Sequence, residues 1–314
     1  MPAGRAYLGS AVGFPLLAAF LWALYYILVL AATPRSNPSA VFVYPFLFGG
    51  VAYAAWTGIR GDGAAFLALW RSPAAWLRVG LLLGMQLSVL AGTYLIGPVD
   101  VSLLSLIGDV VITPIFVAAA FLEYRDRLGS IVLWTGMILC ALGGALAIVG
   151  SGSVAAVRGW GYLLVITIPL TVAGYFLGSA REGERTSLSA VVAQSMLAAG
   201  IVGVAISPLL PGGTAGLALV DPTPLLLLVV TGLTSFFVAP LLYFDAIHRA
   251  GYVVPPLLMT GIPVFAGILS WGILSIPIPA LGLVGIPVAV GGAILALRAE
   301  TAAPSRAAAG SPPG

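Results

Sequence analysis

The chain is a succession of long apolar runs cut by short polar breaks. A membrane-spanning helix needs about 20 mostly apolar residues. Runs of that kind occur near 11–32, 39–58, 79–97, 101–122 and 130–149. A second set follows near 159–179, 188–209, 224–247, 252–271 and 279–298. The first run is longer than the roughly 7–15 residues of a signal-peptide core, and more runs follow it, so it reads as a retained helix. The pattern predicts an all-α polytopic membrane protein with ten transmembrane helices. The breaks are too short to hold a soluble domain, and the tail 299–314, rich in Ala, Pro, Ser and Gly, reads as disordered.

Composition agrees. Of 314 residues, 61% are hydrophobic and 7% charged, against about 45–50% and about 25% in a soluble domain. Too few charges are present to cover a water-facing surface, which excludes soluble enzymes, nucleic-acid binders and disordered chains. All 13 basic residues are arginine, and they flank the apolar runs. With both termini cytoplasmic, the inner segments hold Arg5, Arg60, Arg71, Arg78, Arg125, Arg127, Arg181, Arg185, Arg249, Arg298 and Arg306, while the outer segments hold Arg35 and Arg158. That 11-to-2 split satisfies the positive-inside rule for ten spans. The absence of lysine beside abundant Ala, Gly and Arg points to a prokaryotic inner membrane. Cys140 lies alone in an apolar run and reads as a small buried hydrophobe.

The two sets of five spans echo each other. A shift of 149 places Tyr26 on Tyr175, Tyr94 on Tyr243, Pro114 on Pro263, Phe116 on Phe265, Gly136 on Gly285 and Gly143 on Gly292. The chain thus divides at 1–152 and 153–298, with the cytoplasmic tail beyond. A second copy of an odd-numbered unit enters the membrane from the opposite side, so the halves are expected to be two inverted five-helix repeats. Inverted repeats with a site near the midplane are an architecture of secondary transporters. Pro45, Pro114, Pro169, Pro240 and Pro263 fall inside apolar runs, where neighbouring helices in a membrane tolerate the kinks they cause. Gly80 and Gly84 form a GxxxG pair suited to close packing.

The segment Tyr94–Val149, with ITPIFVAAAFLEYRDRLG at its centre, resembles the fourth and fifth helices of the EamA-type repeat of the drug/metabolite transporter superfamily. Pro114, Phe116, Glu123, Gly136 and Gly143 match its pattern in order. The second half matches at Pro263, Phe265, Gly285 and Gly292, with Gly272 where an acidic residue is usual. The resemblance runs from about residue 11 to 298. It implies a ten-span transporter: similar proteins export amino acids, drugs or other metabolites, and some import nucleotide-sugars or other solutes.

Candidate chemistry is sparse. Asp109 sits mid-span, where an ionised carboxylate costs on the order of 3 kcal/mol. No arginine shares its depth in this span map, so the acid is expected to stay protonated until water or substrate enters. That is the behaviour of a proton-coupling or cation site, although a protonated Asp109 bonded to Gln86 would serve packing alone. Ser102, Ser105, Asp109 and Thr113 form one helical stripe, and Gln86 and Thr93 share a face. Trp22, Tyr25, Tyr26, Tyr94, Tyr175 and Tyr243 are aromatic candidates for the pore, with Thr260 a further polar one. Gln194 belongs to the seventh span, peripheral in similar transporters. Asp245 is spaced for an ordinary pair with Arg249, and the sole His248 has no second histidine with which to hold a metal. No cofactor is implied. The expected partners are a small solute and the lipid bilayer, with proton coupling through Asp109. An amino acid or an amphipathic or cationic compound suits such a cavity better than a dianion. The competing reading is a membrane-embedded enzyme on a lipid-linked substrate, which would need clustered catalytic groups.

Overall fold

The computed structural model describes residues 2–32, 36–96, 101, 105, 129–150, 156–210, 213–218, 221–250, 255, 258–275, 277–278 and 280–302. Among them the fold is helical, with no strand. The elements are α1 (Pro2–Ala32), α2 (Pro38–Ile59), α3 (Gly63–Leu69), α4 (Pro73–Ile96), α5 (Ile131–Gly150), α6 (Ala156–Arg185) and α7 (Leu188–Ile206). There follow α8 (Pro222–Thr231), a π-helical segment (Gly232–Val238), α9 (Ala239–Ala250), α10 (Ile262–Leu274) and α11 (Ala280–Ala302). The fourth predicted span, with Ser102, Asp109, Thr113, Pro114, Phe116 and Glu123, lies outside the described residues apart from Val101 and Ser105.

Helix starts follow local chemistry. Asn37 precedes Pro38 and Asp221 precedes Pro222, each proline taking a first-turn position whose N–H has no helical partner. The Asp221 carboxylate accepts from the Thr223 amide at 2.9 Å, and Ser187 caps α7 by accepting from Ala190 at 3.4 Å. Val12–Ala32, Pro38–Ile59, Pro73–Thr93, Leu188–Leu209 and Pro222–Ile247 are long and apolar enough to cross a membrane. Ile131–Leu146, Ile262–Leu274 and Ala280–Ala296 are shorter apolar helices. Ile131, Leu226, Trp271 and Leu283 stand exposed on the outer face, as suits hydrocarbon rather than water.

The packing pairs α2 with α7, α4 with α6, α1 with α9 and α10, and α5 with α11. Displacing the helix starts by 149 carries Pro73 to Pro222 and Ile131 to Ala280. The α5–α11 contact is antiparallel: Gly136 faces Gly292 and Ala296, and Gly143 faces Gly285 and Ala289. These glycines, seven residues apart on each helix, form the tight seam; a Cβ on Gly80 would meet nothing within 4 Å, so the GxxxG pair is not one. Gly50 likewise lets α2 lie on the backbone of Leu197 in α7.

Three features depart from the sequence expectation. The third span begins at Pro73 rather than 79, because proline and the capping turn at Ser72 start the helix before the hydropathy rises. Arg78 is thereby inside a helix, with its side chain 4% exposed, instead of in a loop. The short helix α3 fills the second connection, and the eighth span is interrupted by the π segment.

The second connection is tied to the start of α7. Ser187 and Ser189 both donate to one carboxylate oxygen of Asp62, at 2.6 Å each, and these bonds hold its carboxyl below the usual aspartate range. A depressed carboxyl contributes stability that is present at neutral pH and lost as pH falls through its folded value, below about 3.8. Asp62→Asn is therefore expected to lower the melting temperature by about 2 °C at neutral pH. The gap to wild type should narrow as pH falls below about 3.8, as thermal scans at neutral and at acid pH would register. An equal gap at both would assign the effect to shape rather than charge.

Candidate functional site

One cavity lies among α1, α4, α6 and the π segment with α9. It offers about 130 Å³ to the centres of water molecules, enough for on the order of ten waters or a solute of roughly a dozen non-hydrogen atoms. Among the described residues no charged side chain lines it.

The wall contributed by the eighth span is built by its helical defect. The π segment shifts the hydrogen bonds so that the Ala239 amide reaches the Thr234 carbonyl. The next bond in that register would run from residue 240 to the Ser235 carbonyl, but residue 240 is proline and has no N–H. The indole of Trp22 takes the vacancy, donating to the Ser235 carbonyl at 2.9 Å. The Ser235 hydroxyl returns a bond to the Leu21 carbonyl at 2.7 Å. Gly49 and Gly232 let α2 approach the segment from behind. Short π segments of this kind recur at functional sites.

Aromatic rings form most of the lining. Trp22 meets Tyr243 at 5.3 Å and Phe176 at 5.8 Å between ring centroids, and Phe176 meets Tyr243 at 4.7 Å. Tyr25 stands edge-on to both Tyr26 and Phe236. Such tilted and edge-on pairs fix the rings against one another. The Gln86 amide, almost fully buried, donates to the Tyr25 hydroxyl. Ser105 also lines the cavity, and its buried hydroxyl has no hydrogen-bond partner among the described residues.

Of the residues singled out from sequence, Trp22, Tyr26, Gln86, Ser105, Tyr175 and Tyr243 come together around this space. Thr93 does not line it: its hydroxyl donates to the Val89 carbonyl of its own helix at 2.7 Å. Pro263 opens α10 at its first turn rather than bending it mid-helix. Asp109, Thr113 and Pro114 lie outside the described residues, as do the side chains of Tyr94, Thr260 and His248. The Asp245–Arg249 pair is as expected, with Arg249 Nε 2.7 Å from the carboxylate and both side chains 42% exposed. Tyr25, also an aromatic candidate from sequence, lines it too, whereas sequence reasoning missed Phe176 and Phe236, because aromatics in apolar runs carry no mark of the face they occupy.

Beyond the cavity, between α4 and α6, lies a buried polar cluster that hydropathy also concealed. Arg78 Nη1 is 3.8 Å from Glu182, while its Nε and Nη2 have no hydrogen-bond partner among the described residues. The buried Tyr175 hydroxyl lies close to those of Ser179 and Ser195, and both polar atoms of the Gln194 amide are without a hydrogen-bond partner among the described residues. Gln194 is fully buried, so its helix is not peripheral at this depth, contrary to the expectation from similar transporters. Its helix packs against both α2 and α4.

Comparison with known proteins agrees with this architecture. Residues 159–298 match the profile of the EamA-like transporter family. A solved crystal structure superposes with a TM-score of 0.69 over 92% of this chain and 97% of the other, at 20% identity, so the two share a fold. No curated protein matches the chain.

Proposed function

From residues 159–298, which belong to the EamA-like transporter family of the drug/metabolite transporter superfamily, we infer that the protein is a secondary transporter of a small solute working by alternating access. The observation that carries this reading is the aromatic cavity, built jointly by the first and second halves. Tyr26 and Tyr175, equivalent under the 149-residue shift, both line it. The halves are read as inverted repeats, 1–152 and 153–298. Three features support that: repeated helix starts, an antiparallel α5–α11 seam whose contacts map onto themselves when the halves are exchanged, and the pairing of α1 with α9 matched by that of α6 with α4. Such symmetry makes outward-open and inward-open packings comparable in stability.

A lining of rings with few polar groups favours an amphipathic, neutral or cationic solute, amino acids included, over a dianion. Export across a prokaryotic inner membrane with both termini cytoplasmic is the topology that the arginine distribution supports. Proton coupling is assigned to Asp109, one helical turn beyond the cavity-lining Ser105 in the sequence stripe.

The test is substrate-evoked charge movement in proteoliposomes on a solid-supported membrane, with a panel of amino acids, organic cations and nucleosides. Wild type is expected to give a saturable response that varies across about pH 5 to 8. Asp109→Asn is expected to express and fold normally while flattening that dependence. A mutant that tracks wild type at every pH would remove Asp109 from coupling.

A further inference from the structure

The cavity accounts for the apolar body of a solute, but no charged side chain lines it among the described residues. One stands just beyond it. Arg78 lies one turn before the cavity-lining Leu82 in α4, with its stem 3.6 Å from the position a Cβ would take on Gly178, next to the cavity-lining Leu177. Tyr175 joins the two places: it lines the cavity, and its hydroxyl end lies within electrostatic reach of the Arg78 guanidinium.

The state of the guanidinium is specific. Its Nη1 side looks toward Glu182 at 3.8 Å, too far for a hydrogen bond. The opposite edge, formed by Nε and Nη2, is buried and has no hydrogen-bond partner among the described residues. That edge is the fork that grips a carboxylate with two parallel bonds. The chain uses the same edge elsewhere, where Arg249 holds Asp245 through Nε and Nη2 at 2.7 and 3.3 Å. Buried polar groups are nearly always paired, so a fork with no partner among the described residues, close to the mutually interacting hydroxyls of Tyr175 and Ser179, is a site awaiting an acceptor. Gln194 adds unpartnered amide groups at the same depth: Ala75 packs with Ala190 and Val191, and one turn further along α4 and α7 come Arg78 and Gln194.

We propose that the Nε/Nη2 edge of Arg78, with the Tyr175 and Ser179 hydroxyls, is a carboxylate-binding point at the end of the aromatic cavity, and that the transported solute carries a single carboxylate on an apolar body. Glu182 on the far side of the guanidinium leaves the site with no net surplus of positive charge, which disfavours a phosphate dianion. The proposal rests on the transporter reading for its substrate, but the binding site stands independently of flux.

The experiment titrates two acid–amide pairs into the purified chain in lipid nanodiscs by calorimetry: L-phenylalanine against L-phenylalaninamide, and phenylacetate against phenylacetamide. Wild type is expected to bind the acid about ten- to a hundredfold more tightly than the amide in at least one pair, the value of bonds to a charged partner. Arg78→Gln should abolish that preference. Arg78→Lys should keep only part of it, since lysine offers a point charge without the fork. Tyr175→Phe and Ser179→Ala, which leave the arginine in place, should each lower the preference without reversing it, so the outcome does not hang on how well the arginine variants fold. Equal affinity for acid and amide in wild type, or no binding of either acid, overturns the proposal. Flux of the same probes is read separately. Acid binding without flux would uphold the site and count against transport, whereas flux of the amides alone would uphold transport and overturn the carboxylate site.

Discussion

Gly143→Leu is expected to unfold the α5–α11 pair, lowering the melting temperature of the purified protein by about 10 °C, the consequence of roughly 3 kcal/mol of overpacking. A Cβ on Gly143 would fall on the backbone nitrogen of Ala289 and the carbonyl oxygen of Gly285. Neither atom can swing aside as the end of a long side chain could. Gly292 on the facing helix meets the backbone of Cys140 and Gly136 in the same way, so Gly292→Leu should cost about as much. The built-in control is its neighbour. A Cβ on Gly291 meets nothing within 4 Å, so Gly291→Leu should leave the melting temperature close to wild type. Equal losses at positions 291 and 292 would mean that the seam is not the reason.

The second large effect belongs to Trp22. Trp22→Ala removes the donor that satisfies the Ser235 carbonyl and strips Tyr243 and Phe176 of a ring neighbour. An unpartnered carbonyl in an apolar wall costs about 1–3 kcal/mol, before the lost ring contacts are added. Transport should show an apparent affinity at least about tenfold weaker. Trp22→Phe keeps a ring and loses only the N–H, so it should fall between. Because the carbonyl is open only through the proline at 240, Pro240→Ala restores a backbone donor to it. In that background Trp22→Phe should cost measurably less stability than in wild type. A double-mutant cycle reads this directly, and additive costs would detach Trp22 from the proline defect.

Hydropathy carried the helices well, and it failed where it reports nothing. It gives no information about hydrogen-bond register, so the eighth span reads as one helix kinked at Pro240, and the π segment before that proline goes unseen. It places a span where apolar character begins, so Pro73 as a helix start was passed over and Arg78 was assigned to a loop. The internal repeat was a better guide. Gly136 and Gly143, matched to Gly285 and Gly292 by the 149-residue shift, turn out to face one another across one antiparallel seam. Tyr26 and Tyr175 both reach the cavity. Thr93 shows the opposite case, a polar residue on the right helix whose hydroxyl is spent on its own backbone. The buried cluster of Arg78, Tyr175 and Ser179 spans two helices far apart in sequence, and no local pattern announces it.

The central claim is that the protein carries solute by alternating access, and radiolabel counterflow addresses it most directly. Proteoliposomes preloaded with each unlabelled member of a panel of amino acids, organic cations and nucleosides would be diluted into trace label of the same compound. The account predicts, for at least one compound, a transient overshoot of label inside the vesicles that saturates with preload and shrinks in Trp22→Ala. Label that only equilibrates, at the same rate with and without preload for every compound, would contradict it.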